Sequence, residues 1–204
     1  MPKSTEDLLM NGFMELISQR PLDKITIQDI ADYCCVNRNT FYYHYDNVYD
    51  LVKKFFKRQT DSALEYMHNG ESLKNCLKAI VMFALDHKEA VKNLANSMSR
   101  DLLSDYLGDS FSRLIKTYID ENYIIREKDH IRERLIVGFY RYAFVGMMMD
   151  LMTVDFSAEQ IKNDELLENA SPEYVVDLIL DTIEHDITEN IMSSLERKEK
   201  SKES

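Results

Sequence analysis

Asn39, Thr40, Tyr42, Tyr43 and His44 follow one another almost without interruption, with Arg38 immediately before them. They bring an amide, a hydroxyl, two phenols, an imidazole and a guanidinium, all groups that donate or accept hydrogen bonds. So many polar and amphipathic side chains in one short run cannot all enter a core. On a helix they offer what reading a DNA major groove requires: amide and guanidinium groups for base edges, and hydroxyls for phosphate oxygens. Three other groupings suggest hydrolytic or metal chemistry: Glu184-His185-Asp186, His87 with Glu89, and His130 with Asp129. None has a nucleophile beside it or a ligand spacing such as HExxH, so each reads more simply as a solvated helix face. Cys34, Cys35 and Cys76 form no CxxC pair, which suits a reducing cytosol without a disulfide framework. Cys34 fits a core position, while Cys35 or Cys76 as a redox sensor is a further reading.

The surrounding residues show how the polar run would be held. Ile27, Ile30, Ala31 and Cys34 fall at i, i+3, i+4 and i+7, the apolar stripe of a short amphipathic helix. Thr26 precedes it as an N-cap, with Asp29 favouring the positive helix start. Cys35-Val36 makes the turn, and Asn37 caps the next helix, in which Phe41 and Tyr45 point inward. Asp46 or Asn47 restarts the chain as a helix with Val48, Leu51, Val52, Phe55 and Phe56 on its inner side. A first helix bearing Leu9, Phe13, Leu16 and Ile17 completes a small core, and the whole is a helix-turn-helix unit. Aromatic residues in helices usually fill cores, so the reading rests on the full arrangement of stripe, turn, cap and polar face.

From the first helix through Ile25-Thr26-Ile27, Asp29-Ile30-Ala31, Val36, Thr40-Phe41-Tyr42, His44-Tyr45 and Leu51, the chain resembles the DNA-binding domain of TetR/AcrR-family transcription regulators. Beyond that region it resembles the family only in helical character and length. The resemblance implies an all-α homodimer with a DNA-reading head and a C-terminal body that binds an effector and the second subunit. It further implies that Thr26, Thr40, Tyr42 and His44 touch phosphates while Arg38, Asn39 and Tyr43 approach base edges. Two positions depart from the family pattern. Cys35 stands where the family usually has Gly, and a non-Gly residue in left-handed backbone costs roughly 1 kcal/mol. Val48-Tyr49 stands where a phosphate-gripping Lys is common, leaving Tyr49 as a weaker, neutral donor. The run FYRYAFVG, followed by hydrophobic residues and Asp150, also resembles a subgroup linked to dihydroxyacetone-kinase operons, in which a protein partner can replace a pocket ligand.

The chain carries a formal charge of -11, the wrong sign for binding DNA over its whole surface. The charge is unevenly placed. Within residues 1–60, Lys3, Arg20, Lys24, Arg38, Lys53, Lys54, Lys57 and Arg58 balance Glu6, Asp7, Glu15, Asp23, Asp29, Asp32, Asp46 and Asp50, so the whole excess falls on residues 61–204. An acidic body would present the molecule to DNA head first, and a neutral head predicts weak non-specific binding with a modest salt dependence. With 204 residues, 45% of them hydrophobic, the chain can bury a substantial core. Only 5 Gly and 3 Pro suit long helices. No GxGxxG or GxxxxGK[ST] run, signal peptide or long apolar span is present, so we expect no cofactor, no metal, no membrane association and a cytoplasmic location.

The expected organisation is all-α with about nine helices. Residues 1–46 form the helix-turn-helix domain, a fourth helix over about 47–68 connects, and residues 69–204 form a ligand-binding and dimerisation domain. Asn69-Gly70 ends the fourth helix, and further helices are expected over Ser72–Asp86, Lys88–Asn96, Arg100–Asn122 with Gly108 as a soft spot, Ile131–Met152, and Pro172 to about Arg197. Leu135, Phe139, Tyr142 and Gly146 on one long helix, and Val175, Ile179, Ile183, Ile187 and Ile191 on the other, form stripes that suit a dimer bundle or an internal core; the resemblance favours the dimer. Phe83, Tyr106, Phe111, Tyr118, Tyr140, Phe144, Met147 and Met148 suit an apolar effector pocket or simple core filling. The expected partners are double-stranded DNA with a near-palindromic operator, a second copy of the chain, and an unidentified small-molecule effector or protein partner. Three function classes follow: a ligand-released repressor, a regulator of the same fold controlled by a protein partner, and, least favoured, an enzyme.

Overall fold

Six of the first seven helices begin at a Ser, Thr or Asn whose side-chain oxygen accepts a backbone N–H of the first turn. Such caps satisfy donors that the helix itself leaves unpaired, and they fix where each helix starts. The computed structural model describes residues 4–124, 126, 130–153, 172–192 and 196–197. Among them the chain forms α1 (Thr5–Gln19), a 3-10 turn (Leu22–Lys24), α2 (Ile27–Tyr33), α3 (Arg38–His44), α4 (Val48–His68), α5 (Leu73–Asp86), α6 (Lys88–Ser97), α7 (Arg100–Asn122), α8 (His130–Thr153) and α9 (Pro172–Met192). None of these helices is long and apolar enough to cross a membrane.

Two apolar cores divide the molecule. The first gathers Leu9, Phe13 and Ile17 of α1, Ile30 of α2, Phe41 of α3 and Leu51, Val52 and Phe55 of α4. The second gathers Ala63, Leu64 and Met67 from the far half of α4 with buried residues of α5, α7, α8 and α9. α4 therefore runs through both cores. α6 was assigned to the body by sequence, yet Ala90 and Leu94, with Met98 just after the helix, complete the core of the head. Polar contacts fasten α6 there as well: Asn93 Nδ2 donates to the Ile17 carbonyl at 2.9 Å, and Ser97 Oγ accepts from Leu22 N at 2.9 Å.

α9 differs from the sequence expectation in two ways. Ile183 and Ile187 are buried in the chain's own second core, Ile187 completely, and Ile179 packs against it. The reason is a set of polar contacts that lays α9 against α5. Glu184 Oε1 accepts from Lys74 N at 3.1 Å, Lys74 pairs with Asp181 at 2.7 Å and Asp177 at 3.6 Å, and Lys78 pairs with Asp177 at 2.8 Å. The isoleucine stripe is thereby turned inward, burying Ile183 and Ile187 in the subunit's own core. The helix also stops at Met192 instead of continuing to Arg197; Glu196-Arg197 instead pairs antiparallel with Tyr123-Ile124. The side chains of Val175 and Ile191 lie outside the described residues.

Two glycines have specific tasks. A Cβ at Gly12 would collide with Cys34 Sγ, so Gly12 lets α2 approach α1 closely. Gly108, expected as a soft spot, sits inside an unbroken α7 and receives the Arg141 guanidinium, which lies 3.7 Å from Asp105.

Candidate nucleic-acid interface

The helix-turn-helix is built on three local devices. At the start of α2, Thr26 Oγ1 accepts from Asp29 N at 3.1 Å while the Asp29 carboxylate accepts from Thr26 N at 2.8 Å, a reciprocal capping box. Hydrogen bonds from the Thr26 hydroxyl and backbone, with Arg20 at 3.2 Å, hold the Asp29 carboxyl below its ordinary pKa. The hydroxyl of Thr26, expected on phosphate, is thus already engaged in capping. In the turn, Cys35 adopts φ 54°, so the left-handed position expected for glycine is present and is occupied by a cysteine. Asn37 then caps α3 by accepting from Asn39 N at 2.8 Å.

From this frame Phe41 and Tyr45 enter the core, their rings 5.4 Å apart. Burial drives the Tyr45 phenol above its ordinary pKa. The opposite side of α3 carries the expected polar set. Arg38, Asn39, Tyr42 and Tyr43 are exposed, Tyr43 to 86%, while Thr40 and His44 are half-buried. Tyr49, second in α4, and Thr26 are exposed as well. Arg38 Nη2 donates to the Tyr42 hydroxyl at 3.0 Å with its guanidinium 5.5 Å from the ring centroid. An exposed cation–π pair of this kind is worth about 0.5–1 kcal/mol.

Two contributors escaped the sequence reading. Lys54 Nζ donates to the His44 carbonyl at 2.5 Å, pairs with Asp50 at 3.4 Å and lies 5.0 Å over the Tyr45 ring. It therefore closes the C-terminal end of α3, where a cation is favoured. Its spacing from Asp50 was visible in sequence; its reach back to α3 was not. Tyr33 is also half exposed at the end of α2.

The remaining candidate residues are placed as follows. Leu135, Phe139 and Tyr142 stand exposed on α8 together with Ile131, and a Cβ at Gly146 or Gly138 would meet nothing within 4 Å. Among the described side chains of α9, the large exposed apolar ones are Tyr174 and Leu178. The eight residues assigned to one effector pocket divide between two places. Phe83 and Tyr106 pack against the head core, whereas Phe111, Phe144 and Met148 are buried in the second core with Tyr118, Tyr140 and Met147 against it. Phe111 and Phe144 stack on each other at 4.7 Å.

One residue of each charged grouping considered for catalysis has a structural partner. Glu184 caps α5, His87 Nδ1 lies 3.0 Å from the Phe83 carbonyl and its ring stacks on Phe83, and His130 lies 3.2 Å from Glu133. Asp129 lies outside the described residues. Burial raises the Cys34 thiol pKa and pushes that of Cys76 up to about 11, which keeps both protonated; Cys35 is exposed.

Comparison with known proteins agrees with this construction. The model for bacterial regulatory proteins of the tetR family matches residues 9–54, and a transcriptional-regulator C-terminal region of TetR type matches residues 71–169. Among solved structures, the dihydroxyacetone kinase operon activator DhaS superposes with a TM-score of 0.62 at 13% identity, covering 90% of this chain and 96% of that one. A TetR transcriptional regulator from Streptococcus agalactiae 2603V gives a TM-score of 0.54 at 18% identity, covering 88% of this chain and 93% of that one. At these identities the likeness is one of fold. No curated protein matches the sequence. With one family model on the reading head and another on the helical body, this chain belongs to the TetR family of DNA-binding transcription regulators and is not an enzyme.

Proposed function

We propose that the protein acts as a homodimer that reads a near-palindromic operator with its two α3 helices, and represses transcription until a small-molecule effector releases it. The observation that carries the DNA reading is the exposed set Arg38, Asn39, Tyr42 and Tyr43, held on a helix capped at both ends. The apolar side chains that α8 leaves in solvent, with Leu178 and Tyr174 of α9, support self-association. Two copies would set their α3 helices about one DNA turn apart, about 34–36 Å. Release requires an effector that binds one spacing of the heads better than the other. α6, which belongs to the head core while adjoining the body, offers a route for that coupling.

A second reading, control by a protein partner, is favoured by the close stacking of Phe111 and Phe144 where a ligand was expected. The fold likeness to a protein named as an operon activator is compatible with it. Selection of bound duplexes from a random pool by the purified full chain tests the proposal. A palindrome with half-sites one turn apart supports a dimeric reader. No enrichment by a verified, folded dimer removes autonomous DNA reading and leaves partner-dependent binding.

A further inference from the structure

Arg38 is the single Lys or Arg among the seven residues of α3, and Tyr42 engages it. The guanidinium donates to the Tyr42 hydroxyl and lies against its ring, one helical turn away. We propose that Arg38 and Tyr42 form a single phosphate clamp and that Asn39 and Tyr43 read the bases, so that each half-site is centred on A·T pairs. This rests on the DNA-binding reading above and names the class of sequence that the site takes.

Guanine is best read by a guanidinium pointing into the groove at O6 and N7. The Tyr42 hydroxyl takes one N–H of Arg38 Nη2 and its ring lies 5.5 Å from the guanidinium, and a phosphate beside the pair can be bound with both contacts kept. Tyr42 Oη accepts from Arg38, so its own proton remains available to a phosphate oxygen, and the remaining guanidinium N–H groups add charge-assisted bonds. Asn39 is exposed beside Arg38, and its amide carries the donor and acceptor that match adenine N7 and N6. Tyr43 presents most of its ring to solvent, a surface suited to covering a thymine methyl. His44 is another group on α3 able to donate to guanine. It is half-buried, and its ring meets Tyr43 edge-on at 5.1 Å. Lys54, a cation on α4, is held by the His44 carbonyl and Asp50.

The test combines duplex selection with Arg38→Gln, Tyr42→Phe and their double variant in the full chain, each checked for helicity. The wild type should select half-sites with A·T pairs at the centre. Each single variant should lose about fivefold in affinity on every sequence while selecting the same one, as expected of a phosphate contact. The double variant should be little weaker than either single one, because the pair acts together. Arg38→Gln should also flatten the dependence of log affinity on log salt by about 0.9 per lost phosphate contact. Asn39→Ala should lose its adenine preference by about 5- to 150-fold. Arg38→Lys, which retains the charge, should keep the salt dependence and so serves if the glutamine variant loses helicity. A G·C pair in the selected half-site whose preference disappears in Arg38→Gln or His44→Ala overturns the proposal while leaving DNA reading intact. Failure of the wild-type dimer to retain any duplex overturns both.

Discussion

At the scale of single residues, Cys35 is the clearest case of local strain. Its backbone at φ 54° suits glycine, and a side chain there costs roughly 1 kcal/mol, partly offset by the larger unfolded-state entropy of glycine. Cys35→Gly should therefore raise stability by up to about 1 kcal/mol in chemical denaturation, and a loss would show that the exposed thiol makes a stabilising contact. On α3, groups that position the protein and groups that specify sequence should separate by mutation. Thr40→Ala and Tyr42→Ala should weaken all duplexes alike, while Asn39→Ala and Tyr43→Ala should relax choice at one or two base pairs by roughly 1–3 kcal/mol. Quantitative binding to a panel of single-site operator variants would distinguish them. The placement of these residues on a short helix after a turn was legible in sequence because a cap, a turn and a stripe are local patterns. The Arg38–Tyr42 pairing sits at an i, i+4 spacing but becomes a specific contact only when the side-chain atoms are placed.

At the scale of elements, α2 depends on its capping box. The Asp29 carboxyl is held below its ordinary pKa, so its contribution is present above the unfolded carboxyl value, near 3.9, and is lost as pH falls through the lower folded value. Asp29→Asn should accordingly be less stable than wild type at neutral pH. The gap should close in acid, as urea melts at a series of pH values would record; a gap constant with pH would place the loss in packing instead. Helix ends were legible where a side chain marks them: Thr26 before α2, Asn37 before α3 and Asn69-Gly70 after α4. The facing of α9 was not. An apolar residue at every fourth position looks the same whether it meets its own core or a partner. What decides is Glu184 reaching the start of α5, a contact 110 residues away in sequence.

At the scale of the whole molecule, the apolar side chains on α8 and the isoleucines of α9 predict opposite failures. Phe139, 69% exposed, should tolerate Phe139→Glu in the folded subunit but lose the dimer, seen as halved mass in sedimentation with helicity retained. Ile187→Glu places a charge in a fully buried site and should unfold the chain. A Phe139→Glu protein that stays dimeric would move the interface elsewhere. The charge imbalance adds a kinetic expectation. With a neutral head and all the excess negative charge in residues 61–204, association with DNA should be slower than for basic readers, and less accelerated by lowering the salt.

The attachment of α6 to the head bears on how such a reader can be cut and recombined. Sequence places a natural seam at residue 46 or 68, but the head core is completed only by Ala90, Leu94 and Met98, with Asn93 and Ser97 bonded to α1 and the 3-10 turn. A fragment ending at either seam would expose that apolar surface and should aggregate. The head is therefore not a portable module of three or four helices. A chimera that transfers this DNA specificity to another regulator should carry residues through Met98 and be joined just before α7. A junction at residue 68 should instead give a poorly soluble protein, because the recipient's own α6 must then match a head surface it did not evolve with.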